Sequence, residues 1–136
     1  MTNAVFQSTT LPMLEQVVNF TEARHGVLAG NVANLDTPGY RTRDLSPALF
    51  QQQLREAVEA SRAPSYTTAG RNAGKYDAFQ EVKDAHRSIL YHDESDVSLE
   101  QQVTEIAKNQ AQHNLAISIM SAQFRLLRAA ITERVA

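Results

Sequence analysis

The 136-residue sequence predicts an all-α fold: long N- and C-terminal helices in an antiparallel, coiled-coil-like pair, a short middle helix and a long irregular loop. Two observations carry that expectation. Apolar residues recur at alternating steps of three and four near both ends of the chain, the spacing of one helix face. The breaks between periodic stretches fall on prolines and glycines, which end helices or set turns. The length suits one domain, 1–136.

Residues 11–35 form the first helix, with Leu11, Leu14, Val18, Thr21, His25, Leu28, Val32 and Leu35 on one face. Pro12 is tolerable because it falls in the first turn, and Thr9 or Thr10 supplies the cap. The helix must end near Asp36, since Thr37 precedes Pro38 and is pushed out of the helical region. Residues 36–45 are then a turn segment in which Pro38-Gly39 suits type II, Pro setting φ and Gly supplying the positive φ. The second helix is expected over 46–60, capped by Ser46, with Pro47 in its first position and Leu49, Phe50, Leu54, Ala57 and Val58 on one face. Residues 61–97 read as a loop carrying Pro64, Gly70 and Gly74; Ile89-Leu90-Tyr91 is a short strand or a loop anchor.

The last helix, 98–134, opens on a Ser98/Gln101 capping box. Leu99, Val103, Ile106, Gln110, His113, Ile117, Met120, Phe124, Leu127 and Ile131 fill its a and d positions. Leu115, Ile119, Ala122, Leu126 and Ala129 make a second apolar stripe on the opposite side. A helix apolar on two faces needs two partners, and one 25-residue helix cannot cover both. Thr21 with His25, and Gln110 with His113, interrupt the two long helices in corresponding places, so an antiparallel pair brings these polar layers level.

The same residues exclude several functions. Thirteen basic against fifteen acidic residues give a net charge of −2, without the basic footprint of a nucleic-acid binder. Zero Cys removes disulfides, thiolate metal sites and cysteine nucleophiles. Gly70-Arg-Asn-Ala-Gly-Lys75 has three residues between its glycines where a phosphate loop has four, and Tyr76 stands where Ser or Thr would hold magnesium. His86 and His92 beside Asp93, Glu94 and Asp96 lack the spacing of a helical metal pair, and Asp93 does not open a calcium loop. Neither a metal, a cofactor, a small-molecule substrate nor catalysis is expected. The first ten residues lack the charged and apolar regions of a secretory peptide, so no cleaved signal is expected. Asn114 to Ile131 comes closest to a membrane span, but its two arginines and its amides argue against one.

Gly30-Asn-Val-Ala-Asn-Leu-Asp-Thr-Pro-Gly-Tyr40 resembles the N-terminal signature of the flagellar axial proteins, the rod, hook and hook-associated subunits. Asn31, Ala33, Asn34, Asp36, Thr37, Pro38, Gly39 and Tyr40 carry the match, while Gly30 and Leu35 depart from the more usual residues. Arg41 to Asp44, Asp96-Val-Ser-Leu-Glu100 and Phe124-Arg-Leu-Leu-Arg-Ala-Ala-Ile131 further resemble the short subunits of the proximal rod. The resemblance implies a structural subunit of the bacterial flagellar basal body, exported by the flagellar type III apparatus without a cleaved signal. The implied partners are other rod proteins, proteins at the junction of the membrane ring and export gate, and further copies of itself in a helical assembly. The expected subunit interface comprises Leu28, Asn31, Val32, Asn34, Leu35, Thr37, Pro38, Gly39 and Tyr40 around the turn. On the last helix it comprises Ile106, Leu115, Ile117, Ile119, Met120, Phe124, Leu126, Leu127 and Ile131. Another short rod subunit of the same family, or a generic dimerising helical module whose seam pairs with its own copy, would share these features.

Overall fold

The computed structural model describes residues 9–62, 82, 90–92 and 98–133, the side chains of 90–92 and 133 excepted. The element order is α1 (Leu11–Ala33), β1 (Arg43–Leu45), α2 (Pro47–Arg62), β2 (Leu90–His92) and α3 (Leu99–Glu133). The segment 70–75, rejected as a phosphate loop, most of the loop over 61–97 and the side chains of the His86–Asp96 cluster lie outside the described residues.

The helix ends follow local chemistry. Thr9 Oγ1 accepts the Leu11 amide at 3.3 Å, while the Thr10 side chain makes no capping bond and instead accepts from Gln123 Nε2. Ser46 Oγ caps α2 through the Leu49 amide at 3.3 Å, and Ser98 Oγ caps α3 through Gln101 at 3.4 Å. At the end of α1 the Asn34 side chain turns back to the Gly30 carbonyl at 2.8 Å, satisfying one of the free carbonyls of the last turn. Thr37 to Tyr40 then makes a β-turn closed by a 3.1 Å bond from the Tyr40 amide to the Thr37 carbonyl, with Gly39 at φ 74°. That positive φ is the conformation a side chain disfavours, so the turn depends on glycine there.

The turn returns the chain along α1. Arg43–Leu45 pairs antiparallel with Leu90–His92, Asp44 opposite Tyr91. The expected all-α fold thus gains a two-stranded sheet, its first strand inside the segment read as turn. Three residues, Arg-Asp-Leu, are too few to display a period of two, which is why the sequence did not announce it.

Two packing zones hold the helices. Phe20 of α1 stacks on Phe50 of α2, ring centroids 4.0 Å apart and planes 4° from parallel, and Leu45, Ala57 and Val82 complete this apolar cluster. The contact of α1 with α3 is different in kind. As α1 ascends through Thr10, Thr21, Arg24 and Asn31, their hydrogen-bond partners on α3 descend through Gln123, His113, Glu105 and Gln102. The buried line on α3 is Gln102, Asn109 and Ala116, repeating every seven residues and continued by half-buried Gln123.

The a/d seam expected for α3 is therefore corrected. Leu99, Val103, Ile117, Phe124 and Ile131 stay exposed, Ile106, His113, Met120 and Leu127 are half-buried, and Gln110 faces out. On α1, His25 is exposed and Arg24 takes the buried place expected for it. Small and amide side chains let the two backbones approach and exchange hydrogen bonds, so they and not the large aliphatics occupy the shared line.

Candidate interaction surface on the terminal helices

Around the turn, Asn31 is the organising residue, 1% exposed. Its Nδ2 donates to the Arg43 carbonyl at 2.6 Å and to Gln102 Oε1 at 3.2 Å. Its Oδ1 accepts from the Arg43 amide and the Tyr40 hydroxyl, both at 3.1 Å. A primary amide presents a donor and an acceptor as a peptide unit does, so Asn31 pairs with Arg43 along a strand edge. Asn31 thereby ties α1, the turn, β1 and α3 together.

Two turns earlier on α1, Arg24 is 3% exposed and binds Asp44 bidentately, Nε to Oδ1 at 2.9 Å and Nη2 to Oδ2 at 2.8 Å. Nη2 also reaches Glu105 Oε2 at 2.8 Å, and Glu105 Oε1 accepts from Lys108 at 2.8 Å. Burial works against the Arg24 charge, but the two carboxylates outweigh it and hold its pKa above the ordinary value. The hydrogen bond from Lys108, and after it that from Arg24, holds Glu105 below the usual carboxylate range against the opposing effect of burial. A carboxylate with a lowered folded pKa stabilises the fold fully above its unfolded pKa and loses that contribution as pH falls through the folded value. Unfolding free energy measured in urea will therefore decline on acidification through the Glu range, and less so in Glu105→Gln. Parallel pH curves for the two proteins would remove Glu105 as the source.

Deeper along the pair, Asn109 Nδ2 donates to the Thr21 carbonyl at 2.7 Å. The single Thr21 hydroxyl proton serves the Val17 and Val18 carbonyls, both 2.9 Å away, so its lone pair is left to accept from His113 Nδ1 at 2.9 Å.

These contacts sort the expected interface residues. Leu28 and Asn31 are buried inside the chain, at 1% exposure each, and are corrected to internal packing, because their side of α1 faces α3 and β1. Val32, Asn34, Leu35 and Tyr40 are half-buried, whereas Thr37, Pro38 and Gly39 are exposed on the turn. On α3, Ile106, Met120 and Leu127 are half-buried; Leu115, Ile117, Ile119, Phe124, Leu126 and Ile131 are open, Leu126 at 71%. Arg24, Asp44, Gln102, Glu105 and Asn109 were missed. A signal for them existed: Phe20, Arg24, Leu28 and Asn31 follow helical spacing, and Gln102, Asn109, Ala116 and Gln123 recur at strict sevens.

With its buried line polar, α3 presents apolar flanks on both sides of it. Leu115, Ile119 and Leu126 lie on one flank and Ile117, Phe124 and Ile131 on the other. Eight of the nine exposed large hydrophobics among the described residues belong to this helix. Exposed apolar area on that scale marks a contact surface. The stretch Leu99–Thr132 is also long and apolar enough to cross a membrane, with only 6% of its most apolar window buried in the chain. Length and composition alone do not separate a lipid-facing helix from a protein-facing one.

Comparison with known proteins gives the family. No family model matches the chain. The flagellar basal body rod protein FlgB of Aquifex aeolicus is 35% identical over 98 residues, 71% of this chain and 72% of that protein. Those of Escherichia coli and Bacillus subtilis are each 26% identical, covering 82% and 92% of this chain and 84% and 95% of their own lengths. The sequence is shared over most of both lengths with chains named for the rod: this chain belongs to the FlgB family of flagellar basal body rod proteins.

Proposed function

We propose that the chain is a structural subunit of the proximal rod, assembling through α1 and α3 with copies of itself and with other rod subunits. The observation that carries this reading is the pair of uncovered apolar flanks on α3, one more than any single partner helix can bury. We read α1 and α3 as an antiparallel pair from the opposing order of their hydrogen-bond partners. The face of α3 turned away from α1 carries exposed Asn114, Ser118, Ser121 and Arg125, a polar surface suited to the wall of an aqueous export channel. The ionic and amide contacts linking α1, β1 and α3 suit a subunit that transmits torque without shearing internally. Proteins at the junction of membrane ring and export gate complete the set of partners, and the flagellum's own export route delivers the chain from the cytoplasm without a cleaved signal. No catalytic step belongs to this function, and the exposed turn at Thr37, Pro38 and Gly39 is a further contact point.

Membrane insertion of α3 is the competing reading raised by its hydropathy. It would put Arg125 and Arg128 into hydrocarbon, where each is costly. Ile119→Asp tests assembly through this flank, since Ile119 is 41% exposed there. The variant will keep the helical circular dichroism of the parent yet fail to restore swimming in the parent bacterium lacking its own copy. Normal swimming would overturn assembly through this flank.

A further inference from the structure

An open apolar trough runs between α2 and α3, with a volume of about 220 Å³. Leu14 and Phe20 of α1 form its floor, Phe50 and Leu54 one wall, Leu115 and Ile119 the other. Its polar lining includes the uncharged amides of Gln51 and Gln112. The trough therefore accepts an apolar ridge without burying a fixed charge. Such a ridge exists on the opposite flank of α3, where Ile117, Phe124 and Ile131 follow one another at seven-residue intervals. That interval keeps side chains in line along a helix laid against another.

We propose that this trough receives the Ile117–Phe124–Ile131 ridge of a second copy of the chain. The inference rests on the rod reading above and names the contact by which copies join. The ridge cannot fill the trough of its own molecule. Leu115 on the trough wall and Ile117 on the ridge, two residues apart on one helix, point about 160° away from each other. Among the described residues, each chain thus carries an open hole and an exposed knob on different surfaces. Contacts of that kind are heterologous and propagate from copy to copy instead of closing into a two-fold dimer.

The chain contains no cysteine, so single thiols can be introduced without background. Leu54→Cys marks the trough and Phe124→Cys marks the ridge. The two full-length variants, mixed at high concentration and oxidised with copper phenanthroline, will give a mixed disulfide dimer on a non-reducing gel. Its yield will exceed that of either variant alone by about tenfold, because the two thiols are held together instead of meeting by diffusion. Ile117→Cys replaces Phe124→Cys if the latter loses helical circular dichroism, and Glu22→Cys, exposed on α1, gives the random background. Efficient self-linking of Phe124→Cys would overturn the proposal in favour of two-fold ridge pairing. A mixed yield no higher than the Glu22→Cys background would overturn it in favour of a different protein in the trough. The rod reading is judged separately by swimming of Leu126→Asp, on the same flank but outside the trough lining, so a lost cross-link beside lost swimming of that variant removes only the trough–ridge contact.

Discussion

Arg24→Met will lower the unfolding free energy by about 3 kcal/mol, toward the lower end of the range for removing one partner of a buried ion pair. The loss is large because Asp44, with its side chain 17% exposed, would keep a charge whose cation is gone, and Glu105, 27% exposed, would be left with Lys108 alone. It is not larger because both carboxylates retain some access to water. Arg24→Lys will restore part of the stability but not all of it, since an ammonium cannot reproduce the paired Nε and Nη2 bonds to Asp44. Urea denaturation followed by circular dichroism measures all three proteins. A methionine variant as stable as its parent would show that the cluster fixes geometry without adding stability.

The second large effect is expected at Asn31. Asn31→Ala strips the Arg43 amide and carbonyl, the Tyr40 hydroxyl and Gln102 of a common partner, and unfolding free energy will fall by about 2–4 kcal/mol. Asn31→Asp separates the two halves of that contact. A carboxylate still accepts from the Arg43 amide and Tyr40, but it cannot donate to the Arg43 carbonyl 2.6 Å away and repels it. The Arg43 amide, followed by hydrogen exchange, will lose protection in the alanine variant before the amides of mid-α1 do. Simultaneous loss across α1 would mean that the amide supports the whole helix pair and not the turn in particular.

Both sites bear on how much of the molecule its sequence displays. The two long helices were legible because their apolar residues repeat over many turns, and their boundaries follow from Pro12, Pro38 and Ser98, as the start of the short helix follows from Ser46. The Thr37–Tyr40 turn was legible for the same local reason, Pro preceding Gly. Side-chain roles within the motif were not. Asn31 and Leu28 sit beside Val32 and Leu35 in a segment whose resemblance suggests a contact surface, and only the direction of the returning chain puts the first two inside. Arg24 was overlooked because a charged residue at a helical apolar position looks like an interruption until its carboxylates arrive from 20 and 81 residues away.

By itself, then, the sequence determined what depends on near neighbours: helix spans, caps, the glycine at the turn, and the presence of more apolar surface on the last helix than one partner can bury. Tertiary structure alone decided which line of α3 meets α1. A pattern of apolar residues predicts that the largest ones are covered first. Here the amides at Gln102 and Asn109, with Ala116 two turns further along, take that place because the amides bond across the pair and the small side chain permits close approach. Rotating a helix toward its polar line moves Leu115 and Leu126 to one side and Phe124 and Ile131 to the other without changing a residue. That rotation is a property of two helices in contact, and hydrogen-bond partners distant in the chain set it.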